Sequence, residues 1–341
     1  MTKEILFIGP GCGGGMTAVI QTCCALFPGS KFISSYNGGS PLRKAMEAGK
    51  ALLRMRRTLK ANPGIGIVHI HTASNASFRR KMLFARLARK MGRKVVLHVH
   101  GGGFRDFYAK DPANITKALK IADKVVVLSQ QWEDFFHGIG ISNTAVIPNP
   151  VAAPVHVDIA DDGLIHFLFL GLLHRDKGVL DLVNVIADNA DSWRGRYVFH
   201  LAGNGPEEAT LRKKIADHGL GDTIILEGWI GSERKAALLS QASALLLPSY
   251  IEAMPISILE ALSYGKPVIA TSVGSIPELM GNGEGGILLQ PGNTKALAQA
   301  IGTMASDPDL RRQMGDNALR LVQPYSTANV ALKLQKLYSS L

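Results

Sequence analysis

The sequence predicts an α/β protein made of two doubly wound, Rossmann-like domains. Three observations carry that reading. Short apolar runs alternate with stretches of helical length along the whole chain. The loops between them are rich in glycine, of which there are 36 among 341 residues. A turn-rich stretch, Pro148-Asn149-Pro150 through Asp161-Asp162-Gly163, then interrupts the alternation near the middle. Strands alternating with helices build parallel sheets covered on both faces, and this length suits two such domains. We read residues 1–150 as the first domain, 151–163 as a linker and 164–341 as the second domain, with the last helix a candidate to return to the first.

In chain order, the first half offers strands at Ile5–Gly9, Phe32–Ser35, Ile67–Ile70, Val95–Val99, Val125–Leu128 and Ala145–Ile147. The second half offers Ile165–Leu170, Tyr197–Leu201, Ile224–Leu226, Ala244–Leu247, Val268–Ala270 and Ile287–Leu289. Each is a short apolar run of strand length. The stretches 41–61, 78–92, 206–218 and 294–306 have helical length and pattern.

Composition narrows the function classes. The three cysteines, Cys12, Cys23 and Cys24, form no disulfide framework, which points to the cytosol. The apolar stretch Ile5–Ile8 ends at a glycine-rich loop, unlike a signal peptide. No apolar run approaches the ~18 residues of a membrane span. The net charge of +11 is unevenly placed: residues 1–150 carry 22 Lys and Arg against 7 Asp and Glu, whereas residues 151–341 carry 16 against 20. The basic residues cluster at Arg54, Arg56, Arg57 and Lys60, and at Arg79, Arg80, Lys81, Arg86, Arg89, Lys90, Arg93 and Lys94. Such asymmetry favours an acidic partner, and an anionic membrane surface fits best. Nucleic acid is the weaker choice, because only Phe78 and Phe84 interleave the clusters and no nucleic-acid motif is present.

The motifs lie where strands open into loops. In SYIEAMPISILEALSYGKPVIAT, Glu252 stands in the loop after the run Ala244–Leu247, and Pro255 fits the first turn of the helix that follows. Glu260 falls in its second turn. The N–H groups of Met254 to Ser257, at a helix N-terminus, suit a phosphate. Two carboxylates beside an anion site suit a molecule with sugar hydroxyls on either side of a phosphate, as in a nucleotide sugar. In GLLHRDKG, Arg175 and Lys177 stand where a diphosphate would lie, after the strand that ends before Gly171. In GNGP, Gly203 and Asn204 form a turn that permits close approach.

The loop Gly9-Pro10-Gly11-Cys12-Gly13-Gly14-Gly15 fits G-x-G-x-x-G, but the second strand ends Ser34-Ser35-Tyr36-Asn37 without the acid that a dinucleotide's ribose needs. We read Gly11, Gly13, Gly14 and Gly15 as a wall where backbone approaches a sugar or phosphate. In HVHGGG, His98 and His100 point the same way from a strand. No third ligand of suitable spacing stands beside them, so no metal is expected; His100 reads as the site residue and His98 as a core histidine.

The ordered set GLLHRDKG, GNGP, EAMPISILEALSYGKPVIAT, VGSIPEL and GGILLQPGN resembles the family-4 retaining glycosyltransferases of the GT-B fold across almost all of the second half. The first half resembles their acceptor domain more loosely, through the glycine-rich loop, HVHGGG, ADKVVVLS and VIPNPV. The resemblance implies two Rossmann-like domains facing a cleft. Arg175 and Lys177 would hold the donor diphosphate, Glu260 the ribose and Glu252 the transferred sugar. Met254, Pro255 and Ile256 would meet the phosphates, and His100 would lie near the reacting carbon. Gly14, Gly171, Gly203 and Asn204 fall on the donor side, and Gly11, Gly13 and Gly15 on the acceptor side. Leu172 departs from the pattern, since the family commonly has arginine there. Arg175 is the candidate replacement.

The expected activity is transfer of a sugar from a UDP- or GDP-linked donor to an acceptor hydroxyl with retained configuration, without a cofactor or metal. The basic first half suggests a cytoplasmic enzyme at the inner face of a membrane, acting on a lipid-diphosphate-linked saccharide in surface polysaccharide synthesis. A nucleotide-sugar epimerase of the same architecture, or a non-catalytic membrane- or nucleic-acid-binding protein, is the alternative.

Overall fold

A computed structural model describes residues 4–341. The chain divides into two compact units, one of residues up to Pro150 together with Thr327–Leu341, the other of Val151–Ser326. Each has one six-stranded, all-parallel sheet.

In the first unit the strands are β1 (Glu4–Gly9), β2 (Lys31–Ser34), β3 (Ile65–Thr72), β4 (Lys94–Val99), β5 (Lys124–Val127) and β6 (Thr144–Val146), in the order β2-β1-β3-β4-β5-β6. In the second they are β7 (Ile165–Leu170), β8 (Tyr197–Ala202), β9 (Ile224–Gly228), β10 (Ala244–Leu247), β11 (Val268–Thr271) and β12 (Gly286–Leu289), in the order β12-β11-β10-β7-β8-β9. Every expected strand forms, because fully buried parallel strands read as continuous apolar runs. The strand order reverses beside β1 in the first sheet and beside β7 in the second. Open α/β sheets bind ligands at the carboxyl ends of strands at such reversals.

The largest strand difference is at β3, which runs through His71 and Thr72 where the apolar run stops at Ile70. Those polar residues stay in the sheet because β4 pairs with them, His71 opposite His98 and Thr72 opposite Val99. Helix α1 (Gly15–Leu26) follows β1, and α2 (Pro41–Ala61) follows β2 with the expected bounds. Ser40 starts α2 by accepting a hydrogen bond from the Arg43 N–H, and Pro41 fills the first helical position. Helix α3 (Asn75–Lys90) begins earlier than expected, because its first turn is small and polar and the apolar period starts only at Phe78.

Each of these helices buries one stripe against the sheet: Ala48, Ala51, Met55 and Leu59 from α2, and Phe78, Met82 and Ala85 from α3. Burying one large aliphatic or aromatic side chain contributes about 1.5–3 kcal/mol, so these stripes hold the helices in place. The C-terminal helix Thr327–Ser339 groups with the first unit, where the Tyr338 ring meets Phe27 edge-on at 5.2 Å. Residues 152–164 have no regular structure and group with the second unit, tied there by hydrogen bonds between Val155 and the Tyr264 hydroxyl.

The first-half basic clusters are only partly a free surface. Lys81 is fully buried and donates to Ser35 Oγ at 2.7 Å. Arg89 and Lys94 pair with Asp123, and Arg93 donates to the carbonyls of Leu59 and Pro63. A charge count cannot see these partners, which come from other parts of the fold. Arg56, Arg57, Lys60, Arg79, Arg86 and Lys90 are exposed.

Candidate active site

The reversal beside β7 brings together the loops that follow β7 and β10. After β7 the chain makes a 3-10 turn, Arg175–Lys177, stabilised by His174 Nδ1 accepting from the Asp176 N–H. Gly178 then turns left-handed (φ 68°) against the end of β10, where a Cβ would stand 2.0 Å from the Pro248 carbonyl oxygen. Only glycine permits that approach. It delivers Lys177 to the loop after β10, and the Tyr250 N–H donates to the Asp176 carbonyl across the same seam at 2.8 Å.

There Lys177 Nζ donates to Glu252 Oε1 at 2.6 Å, and the Ser249 hydroxyl donates to the same oxygen at 2.9 Å. Glu252 is 8% exposed, so its carboxylate is held in place by two donors at the base of the loop. The adjoining helix, Ile256–Ser263, is anchored by Ile258, Leu259, Ala261 and Leu262, all buried. Pro255 is its N-cap rather than a first-turn residue, as its extended ψ of 123° dictates. The first turn carries no acid and no side chain caps it, so the positive end of the helix dipole lies just after the Glu252 loop. One turn on, Glu260 pairs with Lys235 from the helix Ser232–Gln241.

The loops after β7 and β8 are laced together: Gly171 N–H donates to Ala202 O, Leu173 N–H to Asn204 O and Glu207 N–H to Leu173 O. Gly203 allows this, since a Cβ there would lie 1.8 Å from the Gly171 carbonyl oxygen. Arg175 is mostly exposed and its Nε donates to Glu207 Oε1 at 3.2 Å, so it does not share the Lys177–Glu252 pair.

In the first unit, Gly11, Gly13, Gly14 and Gly15 form an exposed loop leading into α1, with the Gly11 N–H donating to the Tyr36 carbonyl at 2.9 Å. Where a dinucleotide fold needs an acid after β2, Ser35 instead accepts from Lys81 and donates to the Gly9 carbonyl. His100 follows β4 with its Nε2 2.9 Å from His71 Nδ1. Burial lowers its pKa to about 3, opposed by a hydrogen bond with Asn149, so it stands as a neutral imidazole. Sequence spacing shows no third ligand beside His98 and His100, but the fold brings further imidazoles there. His69 and His71 stand beside them from β3, with His69 Nε2 3.2 Å from His98 Nδ1.

The structure thus joins Lys177 to Glu252 and places the Ile256 helix N-terminus beside them, while Arg175 and Glu260 hold separate partners. Sequence reasoning missed Ser249, Glu207 and Lys235, which no local spacing reveals. It also missed His69 and His71, although His-x-His in β3 repeats the pattern of β4 and was a usable signal.

Two family models match this chain. "Glycosyl transferases group 1" covers residues 158–321 and "Glycosyltransferase Family 4" covers residues 33–153. Alpha-D-kanosaminyltransferase of Streptomyces kanamyceticus is 31% identical over 173 residues, which are 50% of this chain and 44% of that protein. The chain spans about half the length or less of curated relatives matched this well. Sucrose-phosphate synthase from Thermosynechococcus elongatus superposes with a TM-score of 0.79 at 21% identity, covering 99% of this chain and 98% of that one. Anabaena HepE, solved with UDP and glucose, has a TM-score of 0.79 at 17% identity over 99% and 100% of the two chains. Both have the two-domain fold found here. The two models together span most of residues 33–321, so the chain belongs to the group 1 glycosyltransferase family, and its fold is GT-B.

Proposed function

We propose that this protein moves a sugar from a nucleotide-sugar donor, UDP- or GDP-linked, to an acceptor hydroxyl with retention of configuration. The observation that carries the reading is the Lys177–Glu252 pair, 2.6 Å apart, next to the acid-free N-terminus of the Ile256 helix at the strand-order reversal. A diphosphate entering there takes Lys177 away from Glu252, and the released carboxylate then accepts hydrogen bonds from hydroxyls of the sugar. Glu260 receives the ribose hydroxyls, sharing them with Lys235. The HepE complexes with UDP and UDP-glucose support a nucleotide sugar as the donor.

In the reaction the bond from the anomeric carbon to the diphosphate oxygen breaks, and the acceptor oxygen bonds to the same face of that carbon. The acceptor's proton passes to the departing phosphate oxygen. Lys177, the helix N-terminus and Arg175 stabilise the charge that grows on the leaving diphosphate, where preorganised donors are most effective. His100, held neutral by burial, can offer a hydrogen bond but no charge. The test is to incubate the protein with UDP- and GDP-sugars and candidate acceptors, then follow nucleoside diphosphate release and the anomeric configuration of the product by NMR. A product of inverted configuration, or free epimerised sugar without transfer, overturns the reading.

The acceptor we propose is a lipid-diphosphate-linked saccharide of surface polysaccharide synthesis, met at the cytoplasmic face of an anionic membrane. The exposed side of α2 supports this: Leu42, Met46 and Leu53 are 72%, 57% and 59% exposed, and Arg54, Arg56, Arg57 and Lys60 are exposed on the same helix. Apolar side chains flanked by cations suit an anionic lipid surface, and each cation near it contributes about 1 kcal/mol. Among the described residues no helix is long and apolar enough to cross a membrane.

A further inference from the structure

Four histidines from adjacent strands pack on one face of the first sheet. His71 of β3 lies directly opposite His98 of β4, with His69 and His100 flanking them. The His69 and His71 rings are 4.6 Å apart, His71 and His98 4.9 Å, and His98 and His100 4.1 Å. His69 and His71 are fully buried and His98 is 1% exposed. Apolar cores do not need four imidazoles, and each buried polar atom left unpaired costs about 1–3 kcal/mol. Here His71 Nε2 is unpaired, and His98 Nε2 has no partner at hydrogen-bond distance although the Ile147 backbone bears on the His98 ring.

The contacts around the cluster allow one set of tautomers that suits a metal. His69 Nδ1 is 2.6 Å from the Tyr338 hydroxyl, and His71 Nδ1 is 2.9 Å from His100 Nε2. In the tautomers in which the Nδ1 atoms donate to Tyr338 and His100, the Nε2 atoms of His69 and His71 carry the lone pairs. A metal-bound histidine almost always donates its other ring N–H to a neighbouring acceptor, which is the arrangement that Tyr338 and His100 provide. One ligand nitrogen each from His69, His71 and His98 lies within 4.8 Å of the others. His69 Nε2 and His98 Nδ1 are 3.2 Å apart, a contact that an ion held by both nitrogens replaces.

We propose that His69, His71 and His98 form a binding site for one divalent transition-metal ion of the Zn²⁺ class, distinct from the donor site of the second unit. Three imidazole nitrogens suit Zn²⁺, Co²⁺, Ni²⁺ and Cu²⁺, and leave one position for water. Burial and mutual repulsion keep all three rings in the neutral form that ligates metal. Lys81 bears on His71, but burial lowers its own pKa to about 7, which relieves the repulsion. An ion here ties β3, β4 and, through Tyr338, the C-terminal helix, and it holds His71 as a donor to His100.

The experiment uses full-length protein free of any histidine tag. Metal is removed with chelator, and Zn²⁺ or Co²⁺ is added back as the only metal. Expected are one bound equivalent by elemental analysis after dialysis, a raised melting temperature, and the visible absorption of four-coordinate Co²⁺. His98→Leu and His71→Leu should each abolish all three, while His218→Ala on an exposed surface changes none. Wild-type protein that takes up no stoichiometric Zn²⁺ and shows no Co²⁺ spectrum overturns the proposal without any variant. So does uptake by folded His98→Leu equal to that of wild type. Neither result touches the donor-site reading, whose test is turnover and nucleotide binding.

Discussion

The carboxyl ends of the two sheets are furnished in opposite ways. In the second unit each ionisable group of the candidate site is held by one of opposite charge: Lys177 with Glu252, Lys235 with Glu260 and Arg175 with Glu207. In the first unit the corresponding loops present glycine backbone and the neutral His100, and behind them Lys81 of α3 is buried with a depressed pKa. The difference teaches what each end is suited to receive. Paired charges are partners that a charged ligand exchanges into, whereas a neutral, hydrogen-bonding surface favours hydroxyls. Much of the positive charge of the first half lies at exposed positions of α2 and α3, although Arg54 donates to the Ser34 carbonyl and Arg80 lies over the Tyr36 ring near the end of β2.

Breaking the charged side should have the largest effect. Lys177→Ala is expected to lower turnover about a hundredfold or more with the fold intact, since removing one such stabiliser typically costs roughly 3–4 kcal/mol in the barrier. Purified variant with a normal melting curve and more than about a third of wild-type turnover would contradict the role. Combining Lys177→Met with Glu252→Gln sharpens the comparison, because residues acting as one pair are non-additive. The double variant should be scarcely slower than the worse single variant, and strictly multiplicative losses would show that the two act separately.

Glu260→Ala should weaken nucleoside diphosphate binding by about tenfold, a loss of one good hydrogen-bonding group, while leaving turnover of saturated enzyme nearly unchanged. Calorimetric titration decides this, and wild-type affinity in the variant would remove Glu260 from the ribose. Glu252→Gln should by contrast lower turnover, because it touches the sugar that reacts.

A last comparison uses pH and bears on the first unit alone. Burial lowers the Lys81 pKa from 10.5 to about 7. Between those values the unfolded chain holds the proton and the folded chain does not, so stability contributed by this group rises with pH across that window, by at most about 1.4 kcal/mol per unit, and is flat below it. Lys81→Met should flatten the rise seen in denaturant unfolding between pH 7 and pH 10. An unchanged slope would mean that Lys81 reaches water while charged.

What the sequence alone determined was whatever is written locally. The strands were legible because buried parallel strands are unbroken apolar runs, and Ala244–Leu247 and Ile165–Leu170 are found with the bounds expected. The loops carrying Lys177 and Glu252 were legible because they follow such runs and open into helices. Tertiary structure alone decided who meets whom. Lys177 and Glu252 are 75 residues apart in sequence, and only the adjacency of β7 and β10, with Gly178 seated on Pro248, brings them to one hydrogen bond. The same holds for Lys235 with Glu260 and for Lys81, whose charge looks solvated until α3 buries it beside Ser35. His69 and His71 join His98 through parallel register, and Tyr338 reaches them because the last helix packs on the first unit. Local pattern follows from backbone geometry and burial residue by residue, whereas partners across the sheet depend on strand order and register, which no window of sequence contains.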